Sequence, residues 1–158
     1  MDTAHIVALL RESIFMIATL VVFLVYAMAK GRYALINLIL ALYLALLVSV
    51  EFPYYRQLSG SGEGSAVLKI LVFLAFVVVG VVLMRRHIPG DDFEAAFHGL
   101  GKKLLLAALA TILVMAFSFH ALPVTEIIHP GTPIQALFAP SDRFFWWLAI
   151  PLGVLLFI

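Results

Sequence analysis

The sequence contains no cysteine among its 158 residues. This absence excludes disulfide bonds, thiolate-ligated metal sites and cysteine nucleophiles. Charge is also scarce, since Asp, Glu, Lys and Arg together make up 12% of the chain, whereas 65% of the residues are hydrophobic. A water-soluble domain of this length needs far more polar surface to cover its core. The composition therefore predicts a membrane protein, with residues 1–158 forming one integral membrane domain.

Sequence motifs of the common enzyme classes are missing as well. The chain has no serine nucleophile elbow, no phosphate-binding glycine loop and no His-Glu-x-x-His helix. Its net charge is +1, and its basic residues are scattered rather than arranged in a stripe that could follow a nucleic-acid backbone. Glu126, His129 and Asp142 are metal ligands by type, but their spacing is irregular. We therefore expect no enzymatic activity, no nucleic-acid partner and no metal or other cofactor.

The chain does contain five long apolar runs, which predict membrane spans at 13–29, 33–52, 67–84, 104–122 and 144–158. A helix needs about 20 residues to cross roughly 30 Å of hydrocarbon. The last run is shorter and has Pro151 in its middle, so it spans fully or only in part. The predicted fold is all-α, a polytopic transmembrane helical bundle of four to five spanning helices with short amphipathic interfacial helices.

The amphipathic helices are predicted in two connecting segments. In residues 91–100 two aspartates suit a helix start, and apolar residues recur on one helical face. In residues 131–142, Thr132 can cap a short helix that ends near Phe138. Aromatic residues at the ends of the spans predict interfacial anchors: Tyr54, Tyr55, Trp146 and Trp147.

Basic residues near the ends of the runs predict the orientation. Six of them follow or precede the runs on one side, namely Lys30, Arg32, Arg85, Arg86, Lys102 and Lys103, against Arg11, Arg56, Lys69 and Arg143 on the other. The side with more Lys and Arg is expected to face the cytoplasm. We therefore predict an N-terminus outside, with loops 30–32 and 85–103 in the cytoplasm.

Three ionisable residues near the ends of the runs form a candidate outer vestibule: Glu51, Lys69 and His120. Glu51 lies about 28 Å along the second run from Arg32, and His120 lies about 25 Å along the fourth run from Lys103. Both residues are therefore expected near the outer boundary, at the level of Lys69. The alternative is that each side chain reaches water independently.

Asn37 and Thr111 are candidate path-lining residues, because they are among the few hydrogen-bonding side chains near mid-depth. No Asp, Glu, Lys, Arg or His lies near the midplane, where coupled carriers usually have an ionisable group or an interrupted helix. Gly80 and Pro151 are the positions at which a helix could be interrupted. The alternative for the hydroxyl of Thr111 is a hydrogen bond to the preceding turn.

Small residues at four-residue spacing predict close helix packing. Ala41, Ala45 and Ser49 follow this spacing in the second run, as do Ala107 and Thr111 in the fourth. Such ridges let helix backbones approach closely, either inside one bundle or between copies in an oligomer.

The layout of residues 5–122 resembles the colicin V production protein family of small bacterial inner-membrane proteins. The resemblance rests on AMAKGRYALINLILALYLALL, the aromatic exit FPYY, the helix VLKILVFLAFVVVGVVL and the glycine-punctuated entry FHGLGKKLLLAALATILV. It implies a bacterial inner-membrane location and a role near toxin export and envelope maintenance. The chain departs from the family at Asp91 and Asp92, where an Asp-Arg pair is usual, and in its additional last run.

Two functional hypotheses follow from these observations. The first is a small non-enzymatic inner-membrane protein that acts as a subunit or scaffold of an envelope or export assembly. Its partners would be the lipid bilayer and either further copies of itself, in a homo-oligomer, or other membrane proteins. The alternative is a small oligomeric channel or transporter with an outer polar vestibule.

Overall fold

The computed structural model describes residues 3–53, 63–87, 99–120, 137–138 and 140–157. Its five helices are α1 (Thr3–Lys30), α2 (Arg32–Glu51), α3 (Glu63–His87), α4 (Leu100–His120) and α5 (Ser141–Phe157). No strand occurs within these described ranges. The predicted all-α fold is therefore confirmed.

Four of the helices contain segments that are long and apolar enough to cross a membrane, namely Ser13–Lys30, Arg32–Glu51, Val67–His87 and Leu100–His120. The chain is accordingly a membrane protein. Helix α1, with 28 residues, rises about 42 Å and exceeds the roughly 30 Å of a hydrocarbon core. The described part of helix α5, with 17 residues, rises about 26 Å.

Helices α2 and α4 form the centre of the bundle. Helix α3 packs mainly on α2, α5 packs on α4, and α1 packs on both α4 and α2. In the span of α4, 56% of the residues are buried, against 6% in the span of α1. The core is built from the facing aliphatic and aromatic side chains of the central helices, including Leu35, Ile39, Leu42, Leu106, Leu113 and Phe117.

A single residue, Gly31, connects α1 to α2. It is buried and has φ 82°, a conformation that strains residues with a Cβ atom. Its N–H donates to the carbonyl of Ala27 at 2.9 Å, which satisfies a carbonyl at the end of α1. The chain reverses direction at this glycine, so α1 packs back against the central helices.

The alternating helix directions give the bundle two chemically different ends. One end of the bundle contains the ends of α1 and α3 and the beginnings of α2 and α4. We call it the basic end, because it carries six basic residues: Lys30, Arg32, Arg85, Arg86, Lys102 and Lys103. Helices α2 and α4 end, and α3 and α5 begin, at the opposite end. This arrangement decides which of the predicted site residues can meet.

Candidate functional site

The three residues of the candidate outer vestibule all lie at the opposite end of the bundle. Glu51 is the last residue of α2, Lys69 lies in the second turn of α3, and His120 is the last residue of α4. Helices α2 and α3 touch at Ala41 and Gly80. Measured along the helices from that contact, Glu51 and Lys69 are about 15 Å and about 16 Å away, respectively. The two side chains therefore belong to the same level, with Glu51 exposed and Lys69 half-buried.

His120 takes part in the contact between α4 and α5. Its ring stacks on that of Phe144, with a centroid distance of 4.1 Å and an interplanar angle of 16°. Its Nδ1 lies 3.3 Å from the carbonyl oxygen of Ala116. An Nδ1–H that donates there leaves Nε2 as the acceptor, and Nε2 is buried without a hydrogen-bond partner among the residues that the structure describes. The His120 ring therefore packs against α5.

The hydroxyl groups inside the helices are bonded to their own backbones. Thr111 donates to the carbonyl of Ala107 at 2.8 Å, and Ser118 donates to that of Val114 at 2.7 Å. Thr19 donates in the same way to Phe15 at 2.8 Å. The donors are thus already used within the preceding turn. This geometry favours the packing interpretation of Thr111 over the path-lining one.

Asn37, the second candidate path-lining residue, is buried in α2 with 2% of its surface exposed. No helix is interrupted next to it, since α2 runs unbroken from Arg32 to Glu51. Gly80 lies within continuous α3, and Pro151 lies within continuous α5. The described helices therefore lack the break that could present backbone groups to a substrate at mid-depth.

Three aromatic rings fill the space where α2, α3 and α4 meet. Phe117, with 1% of its surface exposed, packs edge-on against Tyr43 at 6.5 Å and against Phe73 at 6.1 Å, measured between ring centroids. Edge-to-face pairs at these distances are favourable beyond the area that they bury. The three rings close the axis between the helices with apolar surface.

Tyr43 also connects α2 to α5 by a hydrogen bond. Its hydroxyl donates to the carbonyl of Leu148 at 2.5 Å. This contact lies in the turn before Pro151, which has no N–H to donate to the carbonyl of Trp147 and so weakens the helical hydrogen bonds there. Tyr43 therefore acts as a structural link between α2 and α5.

The predicted small-residue ridges pack between helices of the same chain. Ala41, Ala45 and Ala107 are 0% exposed, and Ser49 is 6% exposed. A Cβ atom added at Gly80 would lie 3.0 Å from the Cβ of Ala41 and 3.2 Å from its Cα. The backbones of α2 and α3 thus approach as closely as small residues permit. Since these surfaces are already covered, an oligomer would have to use other residues.

The predicted interfacial anchors are only partly described. Trp146 is exposed, whereas Trp147 packs on Phe138 at 4.7 Å between ring centroids, and its Nε1–H donates to the carbonyl of Leu137 at 3.3 Å. Tyr54 and Tyr55 lie outside the described residues, as do residues 91–98 of the predicted amphipathic helix. The second predicted short helix is described only at Leu137 and Phe138, which are helical.

The described part of the chain contains no group of three metal-ligating side chains. Asp142 lies in the first turn of α5 and is exposed. Glu126 and His129 lie outside the described residues. The expectation that the protein holds no metal stays a prediction.

Lys103 is the position at which the structure departs most from the sequence analysis. The hydropathy pattern predicts Lys102 and Lys103 together in a cytoplasmic loop, before a span that begins at 104. In the structure α4 begins at Leu100, and Lys103 is 0% exposed while Lys102 is exposed. The reason is helical register, because Lys103 shares a face with the buried Leu106 and Ala107 three and four residues later. Register could have identified this residue from the sequence.

Two arginines at the basic end are held by tyrosines. The Nη2 of Arg85 in α3 donates to the hydroxyl of Tyr26 in α1 at 2.9 Å. Arg32 lies over the ring of Tyr33, 4.9 Å from its centroid, and donates to its hydroxyl at 3.2 Å. The sequence pattern identifies these arginines only as charges. It does not show that Arg85 bonds Tyr26, because the two residues are 59 positions apart in the chain.

The structure thus presents a membrane bundle with a mainly apolar interior, in which Asn37 and Lys103 are buried polar exceptions. It has a basic end and an opposite end that carries the three candidate vestibule residues. The resemblance to colicin V production proteins rests on the sequence features described above and stays a prediction. Comparison with protein-family models, with curated proteins and with solved structures finds no match for this chain.

Proposed function

We propose that this protein is a non-enzymatic membrane subunit or scaffold of an envelope or export assembly, located in a bacterial inner membrane. The mainly apolar interior of the described helices carries this proposal. The three-ring contact around Phe117 fills the space between α2, α3 and α4, and the hydroxyls of Thr111 and Ser118 are bonded within their own helix. An interior of this kind supports function through the outer surface of the bundle.

Helix α1 has the least buried of the four apolar spans. Only 6% of its span is buried, and its exposed side chains are large and apolar, with Val22 63% and Val25 58% exposed. Lipid tails cover apolar side chains as well as a partner helix does, so exposure alone fits either neighbour. We place the protein neighbour at α1 because its span contributes the smallest buried fraction of the four.

A photo-crosslinking amino acid at Val22 tests this proposal in intact membranes. We expect crosslinks to a defined protein, either a second copy of the chain or another membrane protein. A matched control carries the same amino acid at Val82 of α3, which is also 63% exposed and is expected to give lipid adducts. Lipid adducts alone at both positions, together with a monomer in several mild detergents, would contradict the assembly proposal.

The alternative, a small oligomeric channel or transporter, is supported by the placement of Glu51, Lys69 and His120 at one end of the bundle. If it is correct, purified protein in liposomes conducts ions or small solutes, and Glu51→Gln changes that flux or its pH dependence. Asp142→Asn, which removes another exposed carboxylate of the same end, serves as the control. Liposomes that stay tight to many solutes would exclude the alternative.

We also propose that the basic end faces the cytoplasm. The distribution of Lys and Arg supports this orientation, since six of them lie in or next to the short connections at that end. The vestibule residues would then face the outer side, with the N-terminus outside.

A further inference from the structure

Positive charge is concentrated at the basic end of the bundle. Six Lys and Arg residues of the described ranges lie there, namely Lys30, Arg32, Arg85, Arg86, Lys102 and Lys103. The acidic positions within the same ranges lie towards the opposite end, namely Glu12, Glu51, Glu63 and Asp142. Among the described residues, therefore, no carboxylate belongs to the helix ends that form the basic end.

Arg85 is oriented rather than free to sample all rotamers. Its hydrogen bond to the hydroxyl of Tyr26 joins the ends of α3 and α1, two helices that otherwise make little contact. The guanidinium group uses one of its five N–H donors in this bond, and the others stay available to an anion. Because Arg85 and the adjacent Arg86 are both exposed, an anion can reach them from the surface.

The surface next to Arg85 is apolar. On α3, Val78 and Val82 lie within two turns of Arg85. Both valines are more than half exposed. A molecule with a negatively charged head and hydrocarbon tails matches this combination of oriented cations and apolar helix surface.

We infer that the basic end binds anionic membrane lipids, with the phosphate headgroup at Arg85 and Arg86 and the acyl chains along the neighbouring apolar face of α3. Clusters of basic residues at the membrane surface recognise anionic headgroups in this way. Tyr26 has a positioning role, because it holds the guanidinium group of Arg85 between the two helices.

Native mass spectrometry of the full chain tests this inference, with phosphatidylglycerol and phosphatidylcholine of identical acyl chains as the probes. We expect preferential retention of phosphatidylglycerol. Removing each arginine should lower that preference about fivefold, which corresponds to about 1 kcal/mol per basic side chain near an anionic surface. The test variant is therefore Arg85→Gln with Arg86→Gln.

The matched control removes two cations from the opposite end, by Arg11→Gln with Arg143→Gln, and should keep the preference. Tyr26→Phe leaves every charge in place and should lower the preference less than the loss of Arg85 does. Equal retention of the two lipids by the unmodified chain would overturn the inference, and so would an equal loss in the control. Displacement of the lipid by millimolar inorganic phosphate would also overturn it, because the site would then recognise the anion alone.

A fourth variant tests the acidic residues that follow Arg86 in the sequence, namely Asp91, Asp92 and Glu94. If these carboxylates neutralise the arginines, their replacement by Asn, Asn and Gln creates a phosphatidylglycerol preference that the unmodified chain lacks, and the inference is wrong. If lipid occupies the arginines, the preference is already present and changes little.

Discussion

Replacing Gly80 by leucine is expected to push α3 away from α2 and to lower the stability of the bundle strongly. A Cβ atom at this position would lie 3.0 Å from the Cβ of Ala41, 3.2 Å from its Cα and 3.3 Å from its carbonyl oxygen. Two of these atoms belong to the backbone of α2, so a side-chain rotation cannot relieve the clash. Overpacking in a well-packed core costs typically 1–3 kcal/mol, and about that amount or more is expected for leucine.

The measurement is thermal unfolding of the purified variants in detergent. Gly153→Leu in α5 is the control, because no atom lies within 4 Å of a Cβ placed there. Gly80→Ala should show a smaller loss, and Ala41→Gly in the same chain should restore part of it, since it removes the Cβ atom that clashes. Equal stability of the Gly80 and Gly153 leucine variants would show that α2 and α3 do not pack at this point.

Replacing Phe117 by alanine is the second change with a large expected effect. The ring is 1% exposed and contacts Tyr43 and Phe73 from two other helices, so its removal leaves a cavity where α2, α3 and α4 meet. Phe→Ala costs about 3–5 kcal/mol in water-soluble cores. We expect a value near the lower end of this range, because in a bilayer the lost term is packing rather than transfer from water.

Unfolding by SDS in mixed micelles measures this free energy. Phe145→Ala in α5 is the matched control, since that ring is 65% exposed and its loss should cost little. A similar loss for both variants would contradict the packing described for Phe117. The Phe117 variant also bears on the proposed function, because solute flux that appears only on its removal would indicate a path closed by this ring.

The fold class could be predicted from the sequence because bilayer thickness and hydropathy impose strong constraints on a helix. The apolar runs at 13–29 and 104–122, for example, lie almost wholly within α1 and α4. The ends of the helices were less predictable. Hydropathy marks where the hydrocarbon ends, whereas α1 and α3 continue as helices beyond that boundary, to Thr3 and Glu63.

The candidate site was only partly predictable from the sequence. Because the rise per residue is constant, counting residues along each helix predicts Glu51, Lys69 and His120 at one end of the bundle. Depth does not determine the direction in which a side chain points around the helix. His120 stacks on Phe144 of α5, a neighbour that depth along α4 could not identify.

The sequence by itself determined that this is a helical membrane protein, where its long apolar helices lie and which end carries most of the positive charge, since all three depend on local composition. Only the tertiary structure decided that Gly80 meets Ala41, that Tyr43 joins α5 beside Pro151, that Lys103 is buried and that Arg85 is held by Tyr26. These features depend on which helices are neighbours and on how each is rotated, and both follow from packing between residues that are distant in the chain.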